Sequence, residues 1–389
     1  MFARTTAQMK QPIALISINA SWNIVNFRQA LVSGLRNRGF RVFGLAPKDR
    51  HSELLSGIGV EYWPIEMDRQ GLSPLRDLQL LFRYGTLLGR IAPDVYLGFT
   101  AKPNIYGSLA AHWRGIPVIN NVAGLGTAFI RKGWLAGLVK FLYRLAFRRS
   151  RTVFFQNEED LEAFVSRGIV RENQARLLPG SGVNLVRFAP VGEREATAPF
   201  TFLFIGRMLR DKGVAEFAEA ARLLRAELPE ARFQLLGPID APNRTAISRA
   251  EVSLWEHRGL VDYLGEADDV RPFIAAADCI VLPSYREGLP RVLLEAGAMA
   301  KPVIATDVPG CRTVVEHGVN GLLCAARDAE CLAATMLEMA RYPADRRAAL
   351  GRAGRDRVEE RYDESRVVEL YLEAIEEALR AGSDQSAER

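Results

Sequence analysis

Acidic residues are scarce in the first half of this 389-residue chain. Residues 1–190 hold 12 Asp and Glu against 25 Lys and Arg, whereas residues 191–389 hold 34 against 26. That deficit excludes an acidic, merely solvating first half. It predicts that the half meets something anionic, such as nucleic acid, acidic lipid or a phosphorylated substrate. Cysteine is scarce too. Cys279, Cys311, Cys324 and Cys331 all lie in the second half, and none forms a CxxC pair. No His pair has metal-ligand spacing, so a disulfide scaffold and a zinc ribbon are excluded, and reduced thiols in a cytosolic protein are expected. Long apolar runs are missing: IALISI, residues 13–18, is too short for a signal segment or a spanning helix, which leaves peripheral attachment to a membrane open. No GxGxxG follows the first strand, so the dinucleotide fingerprint is absent.

What is present is an alternation. QPIALISINA reads as a buried strand, followed by a helical stretch from about Phe27 to Arg38 that Gly39 ends. RVFGLAP, DVYLGFT, PVINNVA and TVFFQN continue the series with helical patterns between them. It restarts at FTFLFIGR and runs through RFQLLGP, DYLGE, CIVLPS, PVIATDVPG and GLLCA. Short apolar strands alternating with helices predict an α/β fold of two doubly wound, Rossmann-like domains. The expected boundaries are 1–183, a linker at 184–199, 200–364, and a C-terminal helix and tail at 365–389 packing back toward the first domain. The helix is expected to yield to an exposed polar tail from Gly382. Two such domains would turn their strand C-termini toward a shared cleft, where ligands of these sheets bind.

The second half carries a constellation. SYREGLPRVLLEA, residues 284–296, places Glu287 and Glu295 eight positions apart. Pro290 suits the first position of a helix. Backbone N–H groups near Gly288 and Leu289 would then face an anion, helped by the helix dipole. Glu287 hangs at the helix mouth, and Glu295, deeper in, offers acceptors for sugar hydroxyls. FLFIGRMLRDKGV is a strand running into a loop: Gly206, then Arg207, with Lys212 five residues on. Two cations at a strand end suit a diphosphate. Gly237 in QLLGPID is a further glycine at a strand end. Taken singly, each of these residues reads equally well as a solvated loop or helix charge. The combination is what points to a site.

GRMLRDKG, LLGP and the run from VDYLGEADD through REGLPRVLLEAGAMAKPVIATDVPG to EHGVNGLL resemble the C-terminal domain of the retaining, GT-B-fold glycosyltransferases of family 4. The resemblance covers about residues 13–375. It implies that Arg207 and Lys212 hold a nucleotide diphosphate, that Glu295 binds the ribose, and that Glu287 faces the donor sugar. A UDP-sugar donor and no metal are implied, with the fixed cations stabilising the leaving diphosphate. The leaving phosphate would serve as base for the acceptor.

In the first half, NASWNIVNFRQAL lacks the paired glycines many relatives carry and has Asn23, Asn26 and Arg28 instead. MDRQGLSPLRDL, TAKPNIYGSLAA and NNVAGLGTAF resemble a subgroup that adds N-acetylhexosamines or related sugars to polyprenyl-diphosphate-linked saccharides. That match nominates Asp68, Arg69, Lys102, Asn104 and Asn121 as cleft residues, and Arg28 of the first loop joins them as an acceptor-side candidate. Turn chemistry and surface charge are the plainer readings of the same residues. Residues 131–151 hold seven basic residues and no acid. On a helix, Lys140, Arg144 and Arg148 form one stripe beside an apolar face of Trp134, Leu138, Phe141 and Leu145. Such a helix predicts contact with an anionic membrane at the inner face of the cell membrane, unless its apolar face packs on the sheet.

Two other classes compete. A sugar-nucleotide 2-epimerase shares the architecture but needs a histidine for proton transfer, and only His51, His112, His257 and His317 exist. A nucleic-acid or lipid-binding module would use the basic half and leave the second-half constellation unexplained. A transferase acting on a soluble acceptor is a further variant.

Overall fold

The structure, a computed structural model, describes residues 11–68, 73–124, 134–192, 198–239, 243 and 245–387, with residues 134–136 and 382–387 described by backbone alone. Two compact units emerge: Met1–Ser181 with Val367–Arg389, and Gly182–Arg366.

The first unit holds a parallel sheet of β1 (Ile13–Ser17), β2 (Arg41–Ala46), β3 (Val60–Pro64), β4 (Val95–Phe99), β5 (Val118–Val122), β6 (Thr152–Phe155) and β7 (Ala175–Leu177), in the order β3-β2-β1-β4-β5-β6-β7. β1, β4, β5 and β6 are buried along their whole length, as parallel strands covered on both faces must be. Its helices are α1 (Ser21–Phe27), α2 (Gln29–Asn37), α3 (Pro74–Ile91), α4 (Ser108–Trp113), α5 (Trp134–Phe147) and α6 (Glu158–Val165). Side chains of α3, α4, α5 and α6 build the core on one sheet face, and those of α2 with Tyr371 and Leu372 the core on the other. A π-helical turn, Pro103–Gly107, leads into α4. The Tyr96 hydroxyl donates to the carbonyl of Pro103 at 2.9 Å, and a β-carbon on Gly107 would lie 1.8 Å from that hydroxyl.

The second unit holds β8 (Thr201–Ile205), β9 (Arg232–Leu236), β10 (Asp262–Tyr263), β11 (Cys279–Leu282), β12 (Val303–Thr306) and β13 (Gly321–Cys324), in the order β10-β9-β8-β11-β12-β13. Its helices are α7 (Val214–Leu224), α8 (Arg249–His257), α9 (Arg271–Ala276), α10 (Arg291–Ala298), α11 (Pro309–Val314), α12 (Ala329–Arg341) and α13 (Ala344–Arg361). α14 (Glu364–Ala387) follows, and its residues from Val367 on belong to the first unit. The order reverses between β8 and β11, the switch point at which open α/β sheets bind ligands.

The helix expected from about Phe27 to Arg38 is α2, Gln29–Asn37, and a further helix, α1, precedes it; between them Arg28 leaves helical geometry (φ −129°, ψ 7°) and buries its guanidinium 4.5 Å from the Phe99 ring centroid. β3 and β7 were not legible as strands: one ends in proline, the other has three residues, and both lie at sheet edges where alternation is weak. α14 continues to Ala387, where a polar tail was expected from Gly382.

Candidate active site

The loops after β8 and β11 are sewn together at the switch point. β8 passes into Gly206, whose N–H donates to Leu236 at 2.9 Å, while Gly237 (φ +138°) lies against the carbonyl of Gly206. Beyond them a 3₁₀ turn, Arg210–Lys212, ends at Gly213 in the left-handed region (φ +72°). There the chain meets the loop after β11. The N–H of Tyr285 donates to the carbonyl of Asp211 at 2.9 Å.

Lys212 and Glu287 form an ion pair across this seam, their side chains 23% and 11% exposed. Ser284 donates to the same carboxylate oxygen of Glu287 at 2.7 Å, and Thr306 donates to the carbonyl of Ser284. An ammonium has three donors, so Lys212 can hold Glu287 and still serve a ligand. Tyr285 donates to Glu216, with Arg327 4.6 Å above its ring. Burial, reinforced by the Glu216 carboxylate, pushes the Tyr285 hydroxyl up to about 12. The second oxygen of Glu216 is buried with no hydrogen-bond partner.

Helix α10 starts at Arg291, with Pro290 one residue earlier than expected, at the N-cap, and no side chain caps it. In its first turn the N–H of Leu293 donates to the carbonyl of Pro290 at 3.1 Å, and the dipole of a helix start favours an anion there. The Glu287–Gly288 peptide packs on Gly310 near the start of α11: a β-carbon there would lie 2.6 Å from the Glu287 carbonyl and 2.4 Å from that of Gly288. Leu289 packs against the core. Glu295 is no exposed helix charge. It accepts from Arg291 one turn earlier at 2.7 Å, and both side chains are largely buried. Burial pushes the Glu295 carboxyl up, against the opposing pull of Arg291. Arg207 is exposed, and its side chain has no hydrogen bond or ion pair among the described residues, while its carbonyl accepts from the N–H of Leu209 at 2.8 Å. Sequence reasoning missed Ser284, Arg291 and Gly310, although SYREG, the i,i+4 Arg-Glu pair and the VPG after β12 were all visible.

The first-unit candidates divide. Asn121 is buried at the end of β5 and donates to Tyr371 of α14 at 2.7 Å, while its side-chain oxygen has no partner. Arg28 is buried, with its guanidinium 4.5 Å from the centroid of the Phe99 ring. Burial pushes the Tyr371 hydroxyl up to about 12, against the pull of Arg28. Lys102 is ion-paired with Asp77 at 2.6 Å in largely buried surroundings, and Asp68 pairs with Arg76 at 3.5 Å. Asn104 is tied into the fold. It donates to the Asn121 carbonyl at 2.8 Å and accepts from Asn120 at 3.0 Å, and it is as buried as Asn121. Arg69 and the Trp134 side chain lie outside the described residues. On α5, Lys140 is half-buried, Arg144 donates to the carbonyls of Gly168 and Arg167, and Arg148 is exposed just past the helix end. The histidine nearest the second-unit site in sequence, His317, accepts from the N–H of Leu323 at 3.0 Å and serves a turn. Among the described residues, no group of three His, Cys, Asp or Glu is placed to hold a metal.

Comparison with known proteins adds two family matches: a "Glycosyl transferase 4-like domain" over residues 24–180 and "Glycosyl transferases group 1" over residues 199–341. The chain is 29% identical over 379 residues to the Campylobacter jejuni N,N'-diacetylbacillosaminyl-diphospho-undecaprenol alpha-1,3-N-acetylgalactosaminyltransferase, covering 93% of this chain and 98% of that one. It is 26% identical to the Escherichia coli UDP-Gal:alpha-D-GlcNAc-diphosphoundecaprenol alpha-1,3-galactosyltransferase, covering 67% and 69%. Among solved structures, sucrose-phosphate synthase from Thermosynechococcus elongatus superposes with a TM-score of 0.79 at 22% identity, covering 96% and 100%. Anabaena HepE in complex with UDP and glucose superposes with a TM-score of 0.75 at 17% identity, covering 94% and 100%.

Proposed function

The chain belongs to the glycosyltransferases and has the GT-B fold, and on that premise we propose that it moves an N-acetylhexosamine from a UDP-sugar to a hydroxyl of a polyprenyl-diphosphate-linked saccharide, with retention at the anomeric carbon. The relatives named for undecaprenyl-diphosphate-linked sugars support the acceptor, and the neighbour solved with UDP and glucose supports the donor. The observation that carries the reading is the Lys212–Glu287–Ser284 constellation at the β8/β11 switch point.

In this reading the donor's diphosphate lies against Arg207, Lys212 and the uncapped start of α10. The bond from the anomeric carbon to the β-phosphate oxygen breaks, and charge grows on the diphosphate where those cations already stand. Such preorganised charge is usually the largest catalytic term, and it leaves no role that requires a metal. The acceptor oxygen bonds to the anomeric carbon and gives its proton to the departing phosphate. Glu287, held by Lys212 and Ser284, orients the sugar. Glu295, held by Arg291, accepts from the ribose hydroxyls. Arg28 and Asn121 serve the acceptor side, and Arg69 and Lys102 are further candidates there. Such an acceptor is embedded in a bilayer, so the protein works peripherally at the inner face of the cell membrane. Among the described residues, no helix is long and apolar enough to cross one.

The test offers a panel of nucleotide-sugars with undecaprenyl-diphosphate-linked saccharides and detects products by mass spectrometry. One added N-acetylhexosamine from a UDP donor, α-linked by NMR and unaffected by a chelator, is expected. Epimerisation or hydrolysis of the donor with no transfer to any lipid-linked acceptor would overturn the reading.

A further inference from the structure

α5 turns Val139, Tyr143, Ala146 and Phe147 into the core. It leaves Leu138, Phe141 and Leu145 exposed, Phe141 by 58%. The apolar face expected to meet either the sheet or a membrane is thus not packed on the sheet. The same arrangement recurs on α3, where Leu80, Tyr84 and Leu88 are buried while Leu75, Leu78 and Phe82 stand outward, Leu75 by 76%. Between these two helices lies α4, packed against both. It ends at Trp113, which is 66% exposed. Isolated surface leucines need no explanation, but outward apolar rows on α3 and α5, with Trp113 at the end of α4 between them, mark an interaction site.

Charge says what covers it. Residues 95–157 contain no Asp or Glu, yet they include Arg114, Lys140, Arg144, Arg148 and Arg149. None of those five is ion-paired among the described residues; Arg114 and Arg144 donate to carbonyls. At the α3 end cations are neutralised, Arg76 by Asp68 and Arg83 by Glu66. A dent of about 290 Å³ between α4 and α5 is lined by Trp113, Leu145, Arg148 and Arg149 among others. Apolar side chains beside guanidinium groups suit acyl chains beneath phosphates. Outward leucines offer little to a nucleic acid, whose charged backbone dominates such binding.

We propose that the outer face of α3, α4 and α5 is the surface by which this protein lies on an anionic lipid bilayer, with the leucine, phenylalanine and tryptophan side chains inserted shallowly and the α4–α5 cations among the headgroups. This deepens the membrane reading given above. It rests on the side chains of the face, and its test contains neither donor nor acceptor, so failure of the glycosyl-transfer assignment would leave it standing.

The full chain is floated with vesicles of phosphatidylcholine alone or mixed with phosphatidylglycerol. Binding to the mixed vesicles is expected to weaken with salt, because surface charge is screened over about 10 Å at 0.1 M, and to level off above zero where the apolar side chains hold. Leu78→Asp with Phe82→Asp, Phe141→Asp with Leu145→Asp, and Arg148→Glu with Arg149→Glu should each cut binding by about tenfold or more. All six positions are exposed, so folding, checked by circular dichroism, is retained. Leu254→Asp, at an exposed position of the second unit, should bind like the natural chain. Equal flotation of the natural chain and the apolar variants overturns the proposal. Loss confined to the α5 variant overturns the composite face. Dimers of the natural chain that the same substitutions disperse, with no flotation, would make this face an interface between copies instead.

Discussion

The carbonyl oxygen of Pro283 lies 2.0 Å from where a β-carbon on Gly213 would sit. Two loops from neighbouring strands touch there, and the residue before that glycine carries the ammonium that holds Glu287. Gly213→Ala would add a left-handed backbone penalty of roughly 1–2 kcal/mol and a steric clash of about 1–3 kcal/mol. Denaturant unfolding should show a clear loss of stability, and turnover should fall with it as Lys212 is displaced. An unchanged midpoint would mean that the seam is loose.

Arg207→Ala and Lys212→Ala should each reduce turnover by about 100-fold or more. Their stabilities should differ. Arg207 is exposed and unpaired among the described residues, so its loss should alter stability by no more than about 0.5 kcal/mol. Lys212→Ala leaves a largely buried Glu287 with Ser284 alone and should destabilise more. Near-normal turnover in both folded variants would remove the diphosphate role.

The two glutamates should separate kinetically. Glu295→Ala should mainly weaken UDP binding, because a ribose contact is present in ground and transition states alike. Glu287→Ala should mainly lower kcat. Calorimetric titration of UDP into each variant decides between them, and undiminished affinity in the Glu295 variant would sink the ribose assignment.

Glu295 also makes a pH prediction. Burial raises its folded pKa above the ordinary 4.5, so the folded state favours the protonated form. Its stabilising contribution is full below the unfolded pKa and is lost as pH rises through the folded one. Relative to Glu295→Gln, the natural chain should therefore lose stability as pH rises above the ordinary carboxylate range. The opposite slope in paired unfolding curves would show that the Arg291 ion pair outweighs burial.

Asn104→Ala should cost stability, about 1–3 kcal/mol, by stranding its buried partners. Once folded, the variant should keep its KM for the acceptor. A selective rise in that KM would put Asn104 on the acceptor side.

The strands of the second unit were readable because β8, β9 and β11 are short apolar runs closed by glycine or proline and β12 is a like run before Asp-Val-Pro-Gly, and Lys212 and Glu287 could be nominated from their places just beyond two of them. What escaped was what only packing decides. Arg28 stood among the acceptor-side candidates, but nothing in the sequence told that its guanidinium turns inward onto Phe99. Asn104 and Asn121 look alike in sequence, yet one is consumed by Asn120 and the other keeps an unpartnered oxygen. Gly310 seemed a mere turn after a strand, whereas its missing side chain leaves room for the peptide that carries Glu287. The apolar row of α3 was missed because outward and inward leucines share one composition, and only exposure tells them apart.

The first unit is assembled from both ends of the chain. Tyr371 packs its ring on Phe99 and Phe154, with centroids 5.9 and 5.0 Å away, and accepts from Asn121. A nascent chain emerging from the ribosome must therefore synthesise all of residues 182–366 before the last piece of its first-made sheet arrives. Through that interval Phe99 and Phe154 lack the Tyr371 ring and α2 lacks Val368 and Leu372, and the surface left open is the kind that chaperones hold. A stop codon just after Arg361 would spare every strand of both sheets and still leave the first unit unfinished.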